Sequence, residues 1–287
     1  MPNPKGLFSE NWSEHHFVSS DGTPIFYRRY LPSGAVRGQL LILHGMGEHG
    51  GRYREVAEAL GGAGLEIYVP DLRGFGRSGG KRGCLRHFRE YFYDLDALLR
   101  VMRQRAAGLP FFILAHSFGG LVAVSWLAEE GKRDAKGLVL TSPNFGISIP
   151  IPLWRRLLAV PVSIVAPDAT QDNRVDRRFL THDTAIFEQH KMDRFNHHRI
   201  SARLYREMKH QFDRKREIAG RLKLPVLLLQ AGDDRLVSQE DSARFFEALA
   251  SQDKELEVFP GLYHEILNET SRQAIYAQIE AWIKQRL

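Results

Sequence analysis

FILAHSFGG, residues 112–120, is an apolar run that stops abruptly at a histidine and a serine crowded by small residues. Such a run predicts a strand buried on both faces. Gly119 and Gly120 then open an apolar helical stretch, LVAVSWLAEEG. Ser117 thus falls between strand and helix, where only small side chains let the backbone turn sharply. Ala115-x-Ser117-x-Gly119 lacks the usual first glycine, so two readings stand at this point. One is a nucleophile raised on a tight elbow. The other is an ordinary strand-to-helix turn that contains a polar residue.

Further apolar strand patterns fall at Leu40–Leu43, Glu66–Pro70, Phe111–Ala115, Gly137–Thr141, Leu224–Leu229 and Leu256–Phe259. Helical patterns lie between them at Tyr53–Leu60, Phe88–Ala106, Leu121–Glu130, Ser238–Leu249 and Ser271–Gln285. This alternation predicts an α/β fold, a mostly parallel central sheet with helices on both faces. HHFVSS and PIFYRRY, joined by Asp21-Gly22, predict an N-terminal β-hairpin. The rhythm breaks between Phe145 and Arg221, where no strand pattern is visible. A helical cap or lid inserted before the last two strands is therefore expected. The core would comprise 1–144 and 222–287, and the cap 145–221.

The chain carries 40 Lys and Arg against 34 Asp and Glu, a formal charge of +6. No basic stripe is interleaved with aromatics, so a nucleic-acid partner is not expected. Cys84 is the single cysteine and cannot form an intrachain disulfide, which fits a reducing, cytoplasmic compartment. The opening MPNPKGLFSENWSEHH contains no apolar signal-peptide core. The most lipid-like stretch, Phe145–Asp168, is broken by Pro150, Pro152, Pro161, Pro167 and the Arg155-Arg156 pair, so it does not predict a span.

Gly45-Met46-Gly47-Glu48-His49-Gly50 matches G-x-G-x-x-G, and Asp71 follows 21 residues after Gly50, the layout of a dinucleotide site. A second match covers Gly74–Gly79. In the first, Glu48 would place a carboxylate where a pyrophosphate should sit. In the second, Gly80 and Gly83 delay the helix beyond the loop. No cofactor is expected. The other reading of the first loop is an oxyanion loop, with the N–H of Phe118 as partner donor.

A serine nucleophile needs a base, and the base an orienting carboxylate. Functional side chains of a parallel sheet gather at the carboxyl ends of its strands. LPVLLLQAGDDRLVS runs out on Asp233-Asp234, and LEVFPGLYHEILNE on His264. The order Ser117, Asp, His264 suits this architecture, and spacing alone does not separate the two aspartates. Of twelve histidines, His15 and His16 precede the sheet, and His182, His190, His197, His198 and His210 fall in the polar cap stretch. Those five, and His87 before a helix, read as surface. His44, His49 and His116 flank other loops and read as packing or supporting residues. Only His264 closes the last strand after the acid. No residue cluster resembles a metal-ligand set.

These motifs resemble those of the α/β-hydrolase superfamily and, more narrowly, the monoacylglycerol lipase and lysophospholipase family. HGMGEHGGRY is similar to that family's oxyanion loop, DLRGFGRSGG to its second glycine loop, AHSFGG to its elbow, AGDDRLV to its acid loop and GLYHEILNE to its histidine loop. The resemblance implies that Ser117 attacks an ester carbonyl, His264 acts as base, and Asp234 rather than Asp233 orients it. It implies that the N–H groups of Met46 and Phe118 hold the oxyanion. It further implies that Glu48 and Arg52 hold the alcohol part of the substrate; the plain alternative is a surface i,i+4 ion pair. Trp154 and its neighbours would line an acyl tunnel, with Arg155 and Arg156 at headgroup level and the cap touching a membrane peripherally. Two positions depart from the family pattern, Ala115 at the elbow's first glycine and Leu267 where some members carry a second histidine. The implied substrate is a small acyl ester with one chain, a monoacylglycerol or lysophospholipid. Thioesterase, amidase or acyltransferase chemistry, a nicotinamide-dependent oxidoreductase on the Gly45–Gly50 loop, and a silent binding scaffold stay open at this level. No oligomeric state follows from these residues.

Overall fold

The computed structural model describes residues 11–129, 134–148, 152, 160–173 and 175–287. β1 (Trp12–Val18) and β2 (Pro24–Tyr30) form the expected antiparallel hairpin, turning at Gly22, whose φ of +83° suits glycine. Then follow β3 (Gly38–Leu43), α1 (Arg54–Gly61), β4 (Leu65–Pro70), α2 (Arg89–Arg105), β5 (Phe111–His116), α3 (Phe118–Ala128) and β6 (Ala135–Thr141). The stretch before the next sheet strand holds β7 (Thr170–Asp172), α4 (Thr184–Met192), β8 (Arg199–Ser201), α5 (Ala202–Asp213) and α6 (Lys215–Arg221). The chain closes with β9 (Val226–Ala231), α7 (Gln239–Ala248), β10 (Lys254–Phe259) and α8 (Arg272–Lys284).

Eight strands make one sheet in the order β1-β2-β4-β3-β5-β6-β9-β10. The β1–β2 and β2–β4 pairings are antiparallel and the rest parallel. The near-continuous apolar runs follow from coverage on both sides. Leu41 and Leu43 of β3 face a cluster with Ile113, Phe118 and Trp126, while Leu40 and Ile42 face one with Leu114, Val139, Ile279 and Trp282. Burying each such side chain is worth roughly 1.5–3 kcal/mol. β10 lies at an edge, where exposed Glu255 and Glu257 discourage pairing with another chain.

The inserted stretch differs from expectation in two respects. It contains strands, the antiparallel pair β7–β8, three residues each. Their sequences, TQD and RIS, are too short and polar to show a strand period. In addition, Ile218 and Ala219 of α6 are buried in the same cluster as α3, so this last helix packs on the sheet's own layer. Ile200 of β8 and Leu204 and Met208 of α5 are buried in that cluster too, although β7 and β8 add no strand to the main sheet.

A strap before and through β8 crosses both glycine-rich loops. His197 N–H donates to Gly47 O (2.9 Å), its Nε2 lies 2.9 Å from Gly74 O, and Ser201 N–H donates to Gly83 O (2.9 Å). The His197 ring stacks on Phe75 at 4.9 Å. A Cβ at Gly47 would come within 2.6 Å of His197 O, and one at Gly83 within 2.1 Å of Arg199 O. These glycines permit close backbone approach. Among the described residues, no helix is long and apolar enough to cross a membrane.

Candidate active site

Ser117 sits between β5 and α3 with φ +51° and ψ −117°, a region non-glycine residues rarely adopt. Such strain persists only where the surroundings over-determine it. Here Ser117 N–H donates to Thr141 O (3.0 Å), and Ser117 O accepts from the N–H groups of Gly120 (2.9 Å) and Asn144 (2.9 Å). The small residues beyond it are required by approach: a Cβ at Gly119 would stand 2.5 Å from Leu43 O, and one at Gly120 2.9 Å from Pro143 Cβ. The crowding of FILAHSFGG is therefore a property of three strand ends meeting.

His264 Nε2 lies 2.9 Å from Ser117 Oγ, and His264 Nδ1 lies 2.7 Å from Asp234 Oδ2. All three residues are buried. Asp234 Oδ1 accepts from the N–H groups of Leu236 (2.9 Å) and Val237 (3.0 Å), which fixes the carboxylate plane. Adjacent Asp233 is exposed, its backbone tied to Leu262 O. Burial alone would lower the His264 pKa, but the Asp234 charge and hydrogen bond, helped by Glu265 and Glu48, carry it above the ordinary imidazole value. Burial alone would raise Asp234, yet the charge and hydrogen bond of His264 hold it below the usual carboxylate range.

The loop Gly45–Gly47 packs on the elbow, a Cβ at Gly45 lying 3.4 Å from Ser117 Cβ. Phe118 opens α3, so its N–H is among those a helix leaves without an internal partner. Met46 lies on the wall of a cavity of about 170 Å³ that also reaches Ser117 and His264. One part of that wall is apolar, with Ile147, Leu180, Ile200, Met208 and Val237; another is polar, with Glu48, His190 and Glu265.

The Glu48–Arg52 pair is not the surface contact that an i,i+4 spacing suggests. Both side chains are buried, and Arg52 also grips Glu265 with both terminal nitrogens (2.8 and 2.6 Å). Glu48 Oε2 accepts from Arg52, and its Oε1 from Gly45 N–H (2.6 Å) and the Tyr53 hydroxyl (2.8 Å). Burial would raise both carboxyls; the Arg52 charge outweighs it and holds Glu48 low and Glu265 far lower. Arg52 stands behind Glu48 and Glu265 rather than on the cavity wall.

Asp71, at the ribose-acid spacing, is fully buried and accepts from Arg28 (2.7 Å) and the N–H groups of Gly50 (2.9 Å) and Arg77 (2.7 Å). Both carboxylates of the dinucleotide-like pattern are thus committed to protein donors. His44 supports the same loops, its Nε2 accepting from Leu72 N–H (2.8 Å) and its Nδ1 lying 2.7 Å from Gly45 O. His116 lies 4.9 Å from the His264 ring, and burial, aided by that neighbour's charge, pushes it down to about 4.

Three histidines of the insert are less exposed than expected, one buried and two half-buried. His190 is buried on the cavity wall, His197 stacks on Phe75, and His198 also lines the cavity. Burial lowers His190 to about 4, and its Nδ1 has no hydrogen-bond partner among the described residues. His182 and His210 are exposed as expected. The polar sequence of the insert hid these positions, because their burial comes from folding across the sheet and not from a local period. Glu265 was missed for the same reason: beside His264 in sequence, it carried no motif signal of its own. Trp154, Arg155, Arg156 and the first ten residues of the leader expectation lie outside the described residues.

The family described as serine aminopeptidase, S33 (Hydrolase_4) matches residues 34–271. A phospholipase, YtpA, of Bacillus subtilis is 32% identical over 247 residues, covering 86% of this chain and 95% of the relative. A monoacylglycerol lipase of Mycolicibacterium smegmatis is 31% identical over 283 residues, covering 98% and 100%. The crystal structure of a monoacylglycerol lipase of Paleococcus ferrophilus superposes with a TM-score of 0.82 at 30% identity, covering 90% of this chain and 98% of that one. With a parallel sheet of this order and a match over most of its length, the chain belongs to the Hydrolase_4 family, an α/β-hydrolase of the monoacylglycerol lipase type and a serine ester hydrolase.

Proposed function

We propose that Ser117, His264 and Asp234 form a catalytic triad that cleaves single-acyl lipid esters, of the monoacylglycerol or lysophospholipid kind, through an acyl-enzyme. His264 Nε2 takes the Ser117 proton as Oγ attacks the ester carbonyl. The N–H groups of Met46 and Phe118 receive the oxygen that gains charge. Collapse expels the alcohol with the proton from His264, leaving an acyl group on Ser117. Water, deprotonated by His264, attacks that ester, and Ser117 recovers its proton as the acid departs. Asp234 accepts the Nδ1–H bond and stabilises the imidazolium. Glu48, backed by Arg52, faces the alcohol part.

The observation that carries this reading is His264 bridging Ser117 and Asp234 at 2.9 and 2.7 Å on the wall of a cavity with an apolar and a polar part. The relatives named as monoacylglycerol lipase and phospholipase support a lipid ester. The 145–221 stretch would act as cap, with α6 as its root on the core. Val160, Val162, Ile164 and Val165 are exposed, Val165 at 85%, and would rest on a membrane surface from the cytoplasmic side. Fluorophosphonate labelling that disappears in Ser117→Ala, with hydrolysis of monoacylglycerols, lysophospholipids and graded p-nitrophenyl esters, tests the reading. Absence of labelling in the wild-type protein would sink it.

A further inference from the structure

The buried charges beside the cavity join loops that come from distant parts of the chain. Glu265 follows His264 directly and binds Arg52 through both carboxylate oxygens. Arg52 reaches on to Glu48, and Glu48 Oε1 accepts the N–H of Gly45, one residue before Met46. Asn268 Nδ2 props Glu265 Oε2 from the other side (2.8 Å). The Glu265 N–H donates to Leu180 O of the insert (2.8 Å). Both oxygens of Glu265 are therefore engaged by protein donors.

We infer that Glu265 is a positioning residue: through Arg52 and Glu48 it forms a buried strut that holds the Gly45–Met46 loop in register with the His264 loop. The inference rests on the catalytic reading above. The reacting geometry requires that the base and the oxyanion donors keep a fixed separation while charge moves between them. A misplacement of about 1 Å can cost about a hundredfold in rate. The Arg fork suits the task because two parallel bonds define an orientation, which a lysine point charge does not. Two carboxylates and one guanidinium leave the wild-type strut with an excess negative charge. Glu265→Gln keeps the shape and leaves Arg52 paired with Glu48, so folding should survive.

The test measures kcat and KM on a soluble short-chain ester and the rate of fluorophosphonate inactivation, with thermal unfolding to confirm the fold. Glu265→Gln and Arg52→Lys should each lower kcat roughly 10–100-fold, with KM within about threefold and inactivation slowed by the same factor as kcat. The double variant should be little worse than the poorer single one, since both break one strut. Asn268→Ala, which removes only the outer prop, should show a milder loss of the same kind. A folded Glu265→Gln with kcat and inactivation near wild type overturns the strut. So does a loss confined to KM, which would make Glu265 a substrate contact, or losses that simply multiply in the double variant. If Glu265→Gln does not fold, Arg52→Lys, which keeps every charge, and Asn268→Ala decide by the same criteria. Wild-type protein that is not labelled at Ser117 defeats the catalytic reading itself, whereas a labelled wild type with unaffected variants defeats only the strut.

Discussion

The sheet and the insert place their functional residues by different physics. In the sheet, Ser117 and Asp234 follow the buried strands β5 and β9, His264 follows the edge strand β10, and the register of β5, β6, β9 and β10 fixes where those ends meet. Hydrogen-bond ladders, with apolar burial on both faces of β5 and β9, leave these positions little freedom. The insert buries Ile200, Leu204 and Met208 on the core and lies across the glycine loops through separate polar contacts: His49 Nε2 to Asp193 Oδ2 (2.7 Å), His197 to Gly47 and Gly74, Ser201 to Gly83. It also leaves Ile164 and Val165 exposed. On the proposed reading, chemistry would sit at the sheet's strand ends, and access and surface contact on the insert.

Substitutions can break this contrast, the deepest first. Ser117→Ala or His264→Ala should lower kcat roughly a millionfold, and the pair together hardly more, because the groups act as a unit. A tenfold loss in single-turnover assays would show that the sheet's strand ends do not carry the chemistry.

Asp234→Asn should cost about 10⁴-fold through the wrong histidine tautomer, whereas exposed Asp233→Asn should cost little. Steady-state kinetics of both variants separate the two aspartates. A crippled Asp233→Asn would reverse the assignment.

The pH profile sharpens the same point. Only neutral His264 can accept the serine proton, and its folded pKa is raised above 6.5, so kcat/KM should fall as pH drops through a midpoint above that value. Asp234→Asn removes the largest influence that raises it and leaves burial, so the residual activity should titrate at lower pH. A midpoint well below 6.5 in the wild-type protein would contradict the buried ion pair.

The insert should respond far more gently. Asp193→Asn weakens one partly buried contact with His49, a loss of order 1 kcal/mol, so the melting temperature should fall about 2–4 °C with soluble-ester turnover nearly unchanged. Smallest of all on soluble ester is Ile164→Glu with Val165→Glu, which should reduce binding to phospholipid vesicles and leave p-nitrophenyl acetate kinetics as they were. Equal loss on both substrates would erase the contrast between the two regions.

The strands of the sheet were legible because their burial is local and continuous: Leu40 to Leu43, Phe111 to Ala115 and Gly137 to Thr141 all fall within observed strands. The β7–β8 pair was not, since three-residue polar strands have no period to read. His190 and His197 looked like surface because their neighbours are polar; folding of the insert over the sheet buries His190 and half-buries His197 against Phe75. Glu48 and Arg52 were visible as an i,i+4 pair, but their burial and their third partner Glu265, 213 residues from Arg52, were not.

From the residue order alone came the alternating α/β rhythm, the hairpin, the interruption before the last two strands, and a serine, an acid and a histidine in a suitable sequence. Local patterns suffice for these because each reports which face of a helix or strand avoids water. Only the folded chain decided which of two adjacent aspartates meets His264, which histidine of the insert is buried, and how Glu265 reaches the Gly45–Met46 loop. Those outcomes depend on where distant strand ends arrive in space, and no local period encodes that distance.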